Sequence, residues 1–423
     1  MQREGFFMGV NVTDIVEHNA GEAARRLDKT ALAGALRESR TRTLTLFTAY
    51  EAALGPNLAV PCAPELNPPL WELGHIGWFA DGWIARHPQR ASGLAAEPDA
   101  PRLPARQSAR GVDADALYDS SRVPHDTRWQ LPLPDAQTTR ADLAASLDQT
   151  LALLQDAADD DTGLYLFRLA LLHEDMHAEA AVYMAQRLGF DPCDAITAAT
   201  ATTAAHASPA ELAVPATRIT LGHSGPGFAF DNELGAQTVD VQAFRIDARA
   251  LTWAQFLPFV ENGGYAQRRF WSEAGWAWRL AHAAQAPRYL RLRSDGHWEH
   301  QRWGRWQALD QNATACHLTF FEAQAWCAWA GRRLPTEAEW VTASQHSGFA
   351  WGQVWEWTAS PFAPFPGFTP HPYREYSQPW FDGRPVLKGA SAATHPRLRH
   401  PQYRNYFTPE RNDIFAGLRS VAL

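Results

Sequence analysis

The sequence predicts a two-part protein, in which a helical bundle is followed by a compact α+β domain. With 423 residues, the chain is longer than a single ordinary hydrophobic core supports. Before residue 192, four stretches carry apolar residues at helical spacing, which favours an antiparallel bundle. After residue 216, short strand-like segments alternate with Gly, Pro, Asn and Asp turns, and Trp and Tyr become frequent.

The four bundle helices are predicted at residues 30–54, 70–87, 140–158 and 163–190, with an irregular connection over about 92–130. The domain boundaries that follow are 28–195 for the bundle, 196–216 for a low-complexity linker and 217–423 for the second domain. Within the second domain, strands are predicted in "RITLG" and "TVDVQAFRID", and helices at 252–264 and at 319–344, with a break at Pro335.

Composition excludes several classes of function. A net charge of -8 argues against sequence-independent binding of nucleic acid, which needs a basic face. The four cysteines form no C-x-x-C motif, which favours a reducing compartment. The first residues contain no continuous apolar segment typical of a secretory signal, and no stretch approaches the ~20 apolar residues that span a bilayer. We therefore expect a cytoplasmic protein without membrane or nucleic-acid partners.

The segment "LLHEDMHAEA", residues 171–180, is the first candidate site. His173 and His177 lie one helical turn apart and can place two imidazole nitrogens on one divalent metal. The flanking "LALL" and "AAVYMA" are apolar, so the pair is expected to face the interior. The spacing also fits the H-E-x-x-H helix of zinc proteases, but Ala180 and Tyr183 stand where the long form of that motif has Gly and His. A protease is therefore disfavoured.

A third ligand is expected from another helix. His75, in "WELGHIGWF", is the best candidate, although a lone histidine in such a setting is more often a packed core residue. His87 and His125 are weaker candidates. Imidazole ligands suit Zn, Cu, Fe and Ni alike, so the spacing does not choose the metal.

Four segments of the second half carry a family resemblance: "ACHLTFFEAQAWCAWAGRRLPTEAEWVTA", "GQVWEWTAS", "VLKGASAAT" and "RNYFTPERNDIFAGLRS". Together they resemble the formylglycine-generating-enzyme (sulfatase-modifying-factor) superfamily, which implies a C-type-lectin-like fold. Residues 389–423 contain no cysteine, whereas formylglycine-generating enzymes use a cysteine pair in this stretch to bind copper. Formylglycine formation is therefore disfavoured.

A helical bundle with "HEDMHAE" ahead of such a domain resembles the ergothioneine-synthase family of non-haem iron enzymes, and implies a DinB-like four-helix bundle. These enzymes use O2 to join sulfur to the imidazole of hercynine, Nα-trimethylhistidine. The resemblance implies an Fe(2+) site made by His75, His173 and His177.

The same resemblance implies the candidate substrate residues. An active-site tyrosine is expected in "PYREYS", for which we choose Tyr373, with Tyr376 lining the pocket; the alternative is that both simply pack. Asn405 matches an asparagine that holds the amino-acid end of hercynine. Tyr406 and Phe407 offer aromatic faces to its quaternary ammonium.

Two departures from the sulfur enzymes suggest a different donor. Phe407 replaces an aspartate that holds the amino group of the thiol, and Met176 replaces a glutamine. With the loop "YDSSRVPHDTRWQLPLPD", they resemble the selenium branch of the family, which joins a selenosugar to hercynine on the way to selenoneine. Ser121 and Arg122 in that loop are predicted donor-binding groups, unless they are simply solvated.

Two rival functions remain open at this point. The first is a sulfur-using synthase with cysteine or γ-glutamylcysteine as donor, since sulfur branches without the aspartate also exist. The second is a metal-free module that uses the lectin-like domain to bind a ligand.

Overall fold

The computed structural model describes residues 20–105, 113–192 and 210–423. The helices are α1 (Lys29–Leu54), α2 (Pro69–Ala80), α3 (Ala114–Tyr118), α4 (Ala136–Asp156), α5 (Asp161–Leu188), α6 (Trp253–Glu261), α7 (Glu273–Ala281), α8 (Phe320–Ala330) and α9 (Glu337–Ser344). The strands are β1 (Glu211–Val214), β2 (Thr217–Leu221), β3 (Gln237–Val241), β4 (Phe244–Asp247), β5 (Leu290–Leu292), β6 (Trp298–Arg302), β7 (Arg305–Ala308), β8 (Arg332–Arg333), β9 (Trp355–Pro361), β10 (Pro385–Gly389), β11 (Asn405–Tyr406), β12 (Ala416–Gly417) and β13 (Val421–Ala422).

The first half is a bundle of α1, α2, α4 and α5, in which α1 packs on α5 and α2 packs on α4. Its helices begin where the sequence places capping residues. The side chains of Asp28, Asp135 and Asp160 each accept a hydrogen bond from a backbone N–H of the first turn. The last helix ends at Gly189, whose φ of 86° is the left-handed conformation expected of a C-terminal glycine.

The predicted second helix, 70–87, is shorter in the structure. The α-helical part ends at Ala80 and continues as a π-helical turn over Asp81–Ala85. The predicted irregular connection contains α3 and two short 3-10 helices, Arg90–Ala95 and His125–Gln130. Such short elements bury too few apolar residues to leave a periodic pattern in the sequence. Residues 106–112 of this connection lie outside the described part of the chain.

The second half contains two four-stranded sheets, with strand orders β1-β4-β13-β8 and β11-β10-β9-β12. A two-stranded β2-β3 sheet and a three-stranded β5-β6-β7 sheet complete it. Most strand pairs are antiparallel, and β12 pairs with β9 in parallel. This arrangement confirms a mixed helical and sheet protein. The assignments to DinB-like bundles and to the C-type-lectin-like fold stay predictions.

Three details of the second half differ from the sequence prediction. Residues 193–209, most of the predicted linker 196–216, lie outside the described residues, and its end forms β1, which pairs with β4. The predicted strand 238–247 is two strands, because residues 242–243 belong to neither β3 nor β4. The predicted helix 319–344 divides into α8 and α9 at the predicted break near Pro335, and differs only in that the break also contains the short strand β8.

Helix α5 joins the two halves. The buried Glu179 carboxylate accepts hydrogen bonds from Trp355, Ser391 and Thr394 of the second half, at 2.7–2.8 Å. One turn earlier, the fully buried side chain of Asp175 pairs with Arg397 at 2.8 Å. The histidine helix is therefore held directly against the sheet domain. Among the described residues, no helix is both long enough and apolar enough to cross a membrane.

Candidate metal centre

His75 of α2 and His173 and His177 of α5 come together inside the bundle. Each offers one ring nitrogen, and these three atoms all lie within 4.8 Å of one another. The Nε2 atoms of His173 and His177 are 3.2 Å apart. Two nitrogen ligands at about 2.1 Å from one ion and at right angles to each other would be separated by roughly this distance. The chemistry and spacing of the donors therefore fit a first-row transition metal.

Two of the rings are oriented by partners on their far nitrogen. His75 Nδ1 lies 2.8 Å from the backbone carbonyl oxygen of Tyr118, and His177 Nδ1 lies 2.6 Å from a carboxylate oxygen of Glu72. A hydrogen bond from Nδ1–H leaves Nε2 with its lone pair free, as a metal ligand requires. Gly74 makes the first contact possible, because a Cβ at this position would lie 2.3 Å from the Tyr118 ring.

Aromatic packing and burial complete the setting. The His173 ring stacks on Phe79 with centroids 3.6 Å apart, and the His75 ring stacks on Trp71 at 4.8 Å. Burial lowers the pKa of His75 to about 3 and that of His173 well below its ordinary value. Both rings are thus neutral near pH 7, the protonation state that binds metal. The His177 side chain is 20% exposed, so the centre is accessible from one side.

Glu72 was not among the residues predicted from the sequence. Burial opposes its ionisation, but the neighbouring His177 outweighs this and lowers the Glu72 pKa to about 2. Its other oxygen accepts a hydrogen bond from Asn67, which in turn accepts one from Arg128. A signal was available in the sequence, because Glu72 stands three residues before His75 and therefore shares its helix face.

A cavity of about 320 Å³, hereafter the interface cavity, lies between α5 and the second half beside Glu72. Five of the predicted substrate residues line it: Met176, Tyr376, Asn405, Tyr406 and Phe407. Its other walls include three residues that sequence reasoning did not single out: Tyr403, Glu65 and Arg411. Its size and its mixture of aromatic and polar groups are typical of a small-molecule site.

Contacts among these residues hold the cavity wall in place. The Tyr376 hydroxyl lies 3.1 Å from the Tyr403 hydroxyl, and the Tyr403 hydroxyl lies 3.3 Å from the Met176 sulfur. The Tyr406 hydroxyl donates to the backbone carbonyl of Tyr376. The guanidinium of Arg411 lies over the Phe407 ring, 4.9 Å from its centroid. An aromatic wall of this kind can accept a cation against its faces.

Tyr373 lies beside the histidine cluster, with its ring centroid 6.3 Å from that of Tyr376. Its ring centroid is 5.0 Å from that of Phe79 and 6.3 Å from that of His173. Burial raises the pKa of its phenol well above the ordinary value, with a further contribution from Glu375, so the group is protonated near neutral pH.

Ser121 and Arg122 line a second opening together with Tyr373, hereafter the loop cleft, of about 250 Å³. The Ser121 hydroxyl donates to Asp119 at 2.6 Å. The Arg122 side chain is 79% exposed and pairs with the same carboxylate at 3.2 Å. The structure thus places these two residues beside the predicted catalytic tyrosine, apart from the residues of the interface cavity.

Comparison with known proteins identifies the family. Hercynine oxygenase of Mycolicibacterium thermoresistibile is 31% identical over 92% of this chain and 94% of its own length. Hercynine oxygenase of Mycobacterium tuberculosis is 30% identical over 92% of this chain and 97% of its own. The chain belongs to the hercynine oxygenase family. The match covers both halves, so the family assignment applies to the bundle and the sheet domain together.

Within this family, the second half carries an additional similarity. Residues 197–353 match the model of the sulfatase-modifying factor enzyme 1-like domain. The formylglycine-generating enzyme of Streptomyces coelicolor is 32% identical over 34% of this chain and 50% of its own length. The relatives are oxygen-using enzymes, and this chain is accordingly an oxidoreductase. They support the ergothioneine-synthase-like family as a whole and carry no sign of the selenium branch.

Proposed function

We propose that this protein is an iron(II)-dependent hercynine oxygenase that joins a chalcogen donor to the imidazole carbon between the two ring nitrogens of hercynine. The observation that carries the proposal is the convergence of His75, His173 and His177 beside an aromatic cavity. The name and coverage of the relatives supply the substrate. The same three rings would hold the iron, whose role when bound is to activate O2 for the oxidative coupling.

Hercynine fits the interface cavity by its chemistry. Its permanent trimethylammonium charge would lie against Tyr406 and against the face of Phe407 opposite Arg411, which cation–π attraction favours. Asn405 would hydrogen bond to the carboxylate at the amino-acid end. Tyr376 and Met176 would pack beside the imidazole, which points toward the partly exposed side of His177.

Tyr373 is proposed as the proton donor of the reaction. Its phenol keeps its proton near neutral pH and lies against Phe79, next to His173. A buried phenol at this place can donate a hydrogen bond or a proton to a reacting oxygen atom. Ser121 and Arg122 would bind the donor molecule as it enters through the loop cleft.

A thiol such as cysteine or γ-glutamylcysteine is the donor that the relatives favour. For a thiol, the imidazole C–H and the S–H bonds break and a C–S bond forms. Of the two oxygen atoms of O2, one remains on sulfur as the sulfoxide and the other leaves as water. The four electrons that reduce O2 come from these two bonds and from the sulfur lone pair.

A selenosugar is the second candidate donor, favoured by Phe407. This ring lines the interface cavity under the Arg411 guanidinium, where the sulfur enzymes carry an aspartate for the thiol's amino group. In the same wall, the Glu72 carboxylate is engaged by His177 and Asn67, and one oxygen of Glu179 is engaged by Trp355, Ser391 and Thr394. The third carboxylate of the wall, Glu65, lies 3.4 Å from the guanidinium of Arg288. A neutral sugar needs no such carboxylate partner.

The deciding experiment is anaerobic reconstitution with Fe(II), followed by O2, hercynine and one donor at a time. Product masses from γ-glutamylcysteine, cysteine and a selenosugar distinguish the sulfur reaction from the selenium reaction. His177→Ala is expected to abolish iron binding and product formation while the far-ultraviolet circular dichroism of the bundle is kept. Turnover retained by this variant would contradict the proposed site.

A further inference from the structure

A second, smaller cavity lies inside the bundle, on the other side of Glu72 from the interface cavity. It measures about 40 Å³ and is lined by residues of α1, α2 and α5; we refer to it as the bundle cavity. Its walls are mainly apolar and include Leu46, Ile76 and Ala181. His177 forms part of the wall, so this cavity reaches one of the three proposed metal ligands.

Successive residues of α5 face the two different cavities. Met176 and Ala180 stand one turn apart and line the interface cavity, whereas His177 and Ala181, each one residue later, line the bundle cavity. Glu72 and Met184 lie in both walls and form the partition. Adjacent residues of one helix thus face two spaces of different chemistry.

The polar groups in the wall of the bundle cavity are mostly engaged. Both Glu72 oxygens accept hydrogen bonds, and the Tyr50 hydroxyl donates to the backbone carbonyl of Ala181 at 2.5 Å. Among the described residues, the buried Thr43 hydroxyl is left without a hydrogen-bond partner. An ordered water needs two to four polar partners, and the Thr43 hydroxyl supplies only one. Apolar cavities without enough partners for water stay dry and bind xenon or other apolar molecules.

We propose that the bundle cavity is a binding site for dioxygen on its way to the metal centre. This inference rests on the proposed use of O2 at the three histidines. Dioxygen is small and apolar, and a space of about 40 Å³ exceeds the roughly 10–15 Å³ that a single water requires. Hercynine carries permanent charge and is excluded from such a space by the cost of desolvation. Separate access lets O2 reach the centre while the substrates occupy the interface cavity.

The first test uses xenon as an apolar probe. In crystals of the iron-loaded protein under xenon pressure, we expect one xenon atom in contact with Ile76 and Ala181. An ordered water in this place, or the lack of xenon there, would overturn the proposal. This readout depends neither on turnover nor on the identity of the donor.

The second test fills the cavity and compares two neighbouring positions of α5. Ala181→Leu is expected to exclude xenon and to slow the association of nitric oxide with the anaerobic iron-loaded protein several-fold, at unchanged iron content. Ala180→Leu adds the same side chain to the interface cavity, and is expected to raise the KM for hercynine while xenon still binds. Equal nitric oxide kinetics in the Ala181→Leu variant and the parent protein would overturn the proposal.

A variant on another helix shows whether the effect of Ala181→Leu comes from filling the cavity or from a local distortion of α5. Leu46→Phe fills the same cavity from α1 and should reproduce the loss of xenon and the slower nitric oxide association. Failure of the parent protein to convert hercynine with any donor would contradict the proposed function. The xenon and nitric oxide measurements test the bundle cavity without turnover. Failure of the proposed function and failure of the dioxygen site are therefore distinguishable.

Discussion

At the scale of single residues, the chemistry of the centre depends on what holds the nitrogen that faces away from the metal. The Tyr118 carbonyl holds Nδ1 of His75, and the Glu72 carboxylate holds Nδ1 of His177. His173 is fixed differently, by the face of Phe79. Each ring is thus oriented before a metal arrives, which reduces the entropy lost on binding.

Glu72→Gln tests this orientation. Glutamine keeps the shape of the side chain but removes the charge that supports the His177 ring, and partners of this kind are typically worth about 10–100-fold in metal affinity. We expect a loss of iron affinity in that range, measured by competition with a chelator. Glu51→Gln is the matched control, because Glu51 pairs with Arg140 at the protein surface. Equal affinity of the two variants would argue against a role for Glu72.

Tyr373→Phe tests the proposed proton donor. The ring contacts with Phe79 and Trp83 are kept, and the phenol that can donate a proton is lost. We expect slower turnover or an altered product, with iron content equal to that of the parent protein. Product masses and iron analysis provide the measurement, and unchanged products at an unchanged rate would remove the assigned role.

At the scale of elements, helix α5 both carries two of the proposed metal ligands and anchors the bundle to the sheet domain. One side carries His173 and His177 toward α2, while Asp175 and Glu179 reach the sheet domain. The sequence predicted this helix and its C-terminal glycine well, because 28 residues of amphipathic pattern and a left-handed cap are local signals. It did not predict the two acidic anchors, because their partners lie more than 170 residues away in the chain.

Arg397→Met tests the Asp175 anchor. It also removes the pair between Arg397 and the exposed Glu38, which contributes at most about 1 kcal/mol. The fully buried Asp175 carboxylate would lose both of its bonds to the guanidinium and keep the one from Ser39. Breaking a buried ion pair in this way costs about 3–5 kcal/mol. We expect a loss of that order in the free energy of unfolding by urea.

Arg218→Met provides the matched control for that measurement. The pair between Arg218 and Asp240 is 69% and 64% exposed, and exposed pairs are worth about 0–1 kcal/mol. A similar loss in both variants would show that the Asp175 pair is not a special anchor.

At the scale of the whole molecule, buried histidines make stability depend on pH. Burial lowers the pKa of His317 and of His371 to about 4, and their buried Nδ1 atoms have no hydrogen-bond partner among the described residues. Between pH 6.5 and pH 4, the unfolded chain therefore binds protons that the folded protein rejects, and stability falls as the pH falls. Burial raises the pKa of Asp231 to about 6, which opposes this trend below pH 6.

The net effect of these three groups is a loss on the order of 2–3 kcal/mol in the free energy of unfolding from pH 7 to pH 5. Urea denaturation of the metal-free protein at the two pH values measures the total loss, to which His75 and His173 add because burial lowers their pKa values as well. The contribution of one residue is obtained by comparing the parent protein with a variant. His371→Asn should reduce the difference by about 2 kcal/mol, because the residue that titrates in the unfolded chain is gone. A difference as large as in the parent protein would contradict the assignment to His371.

The sequence by itself determined the helical half, the mixed second half, the three histidines and the family resemblance. Helical period, turn residues and motifs each depend on residues that are close together in the chain. The relatives support the family, while the roles of Tyr373, Asn405 and the loop residues stay predictions. Tertiary structure alone decided that Glu72 orients His177, that Ser121 and Arg122 line one cleft with Tyr373, and that an apolar cavity lies beside His177. These features arise where side chains distant in sequence pack together, and a cavity is a property of that packing.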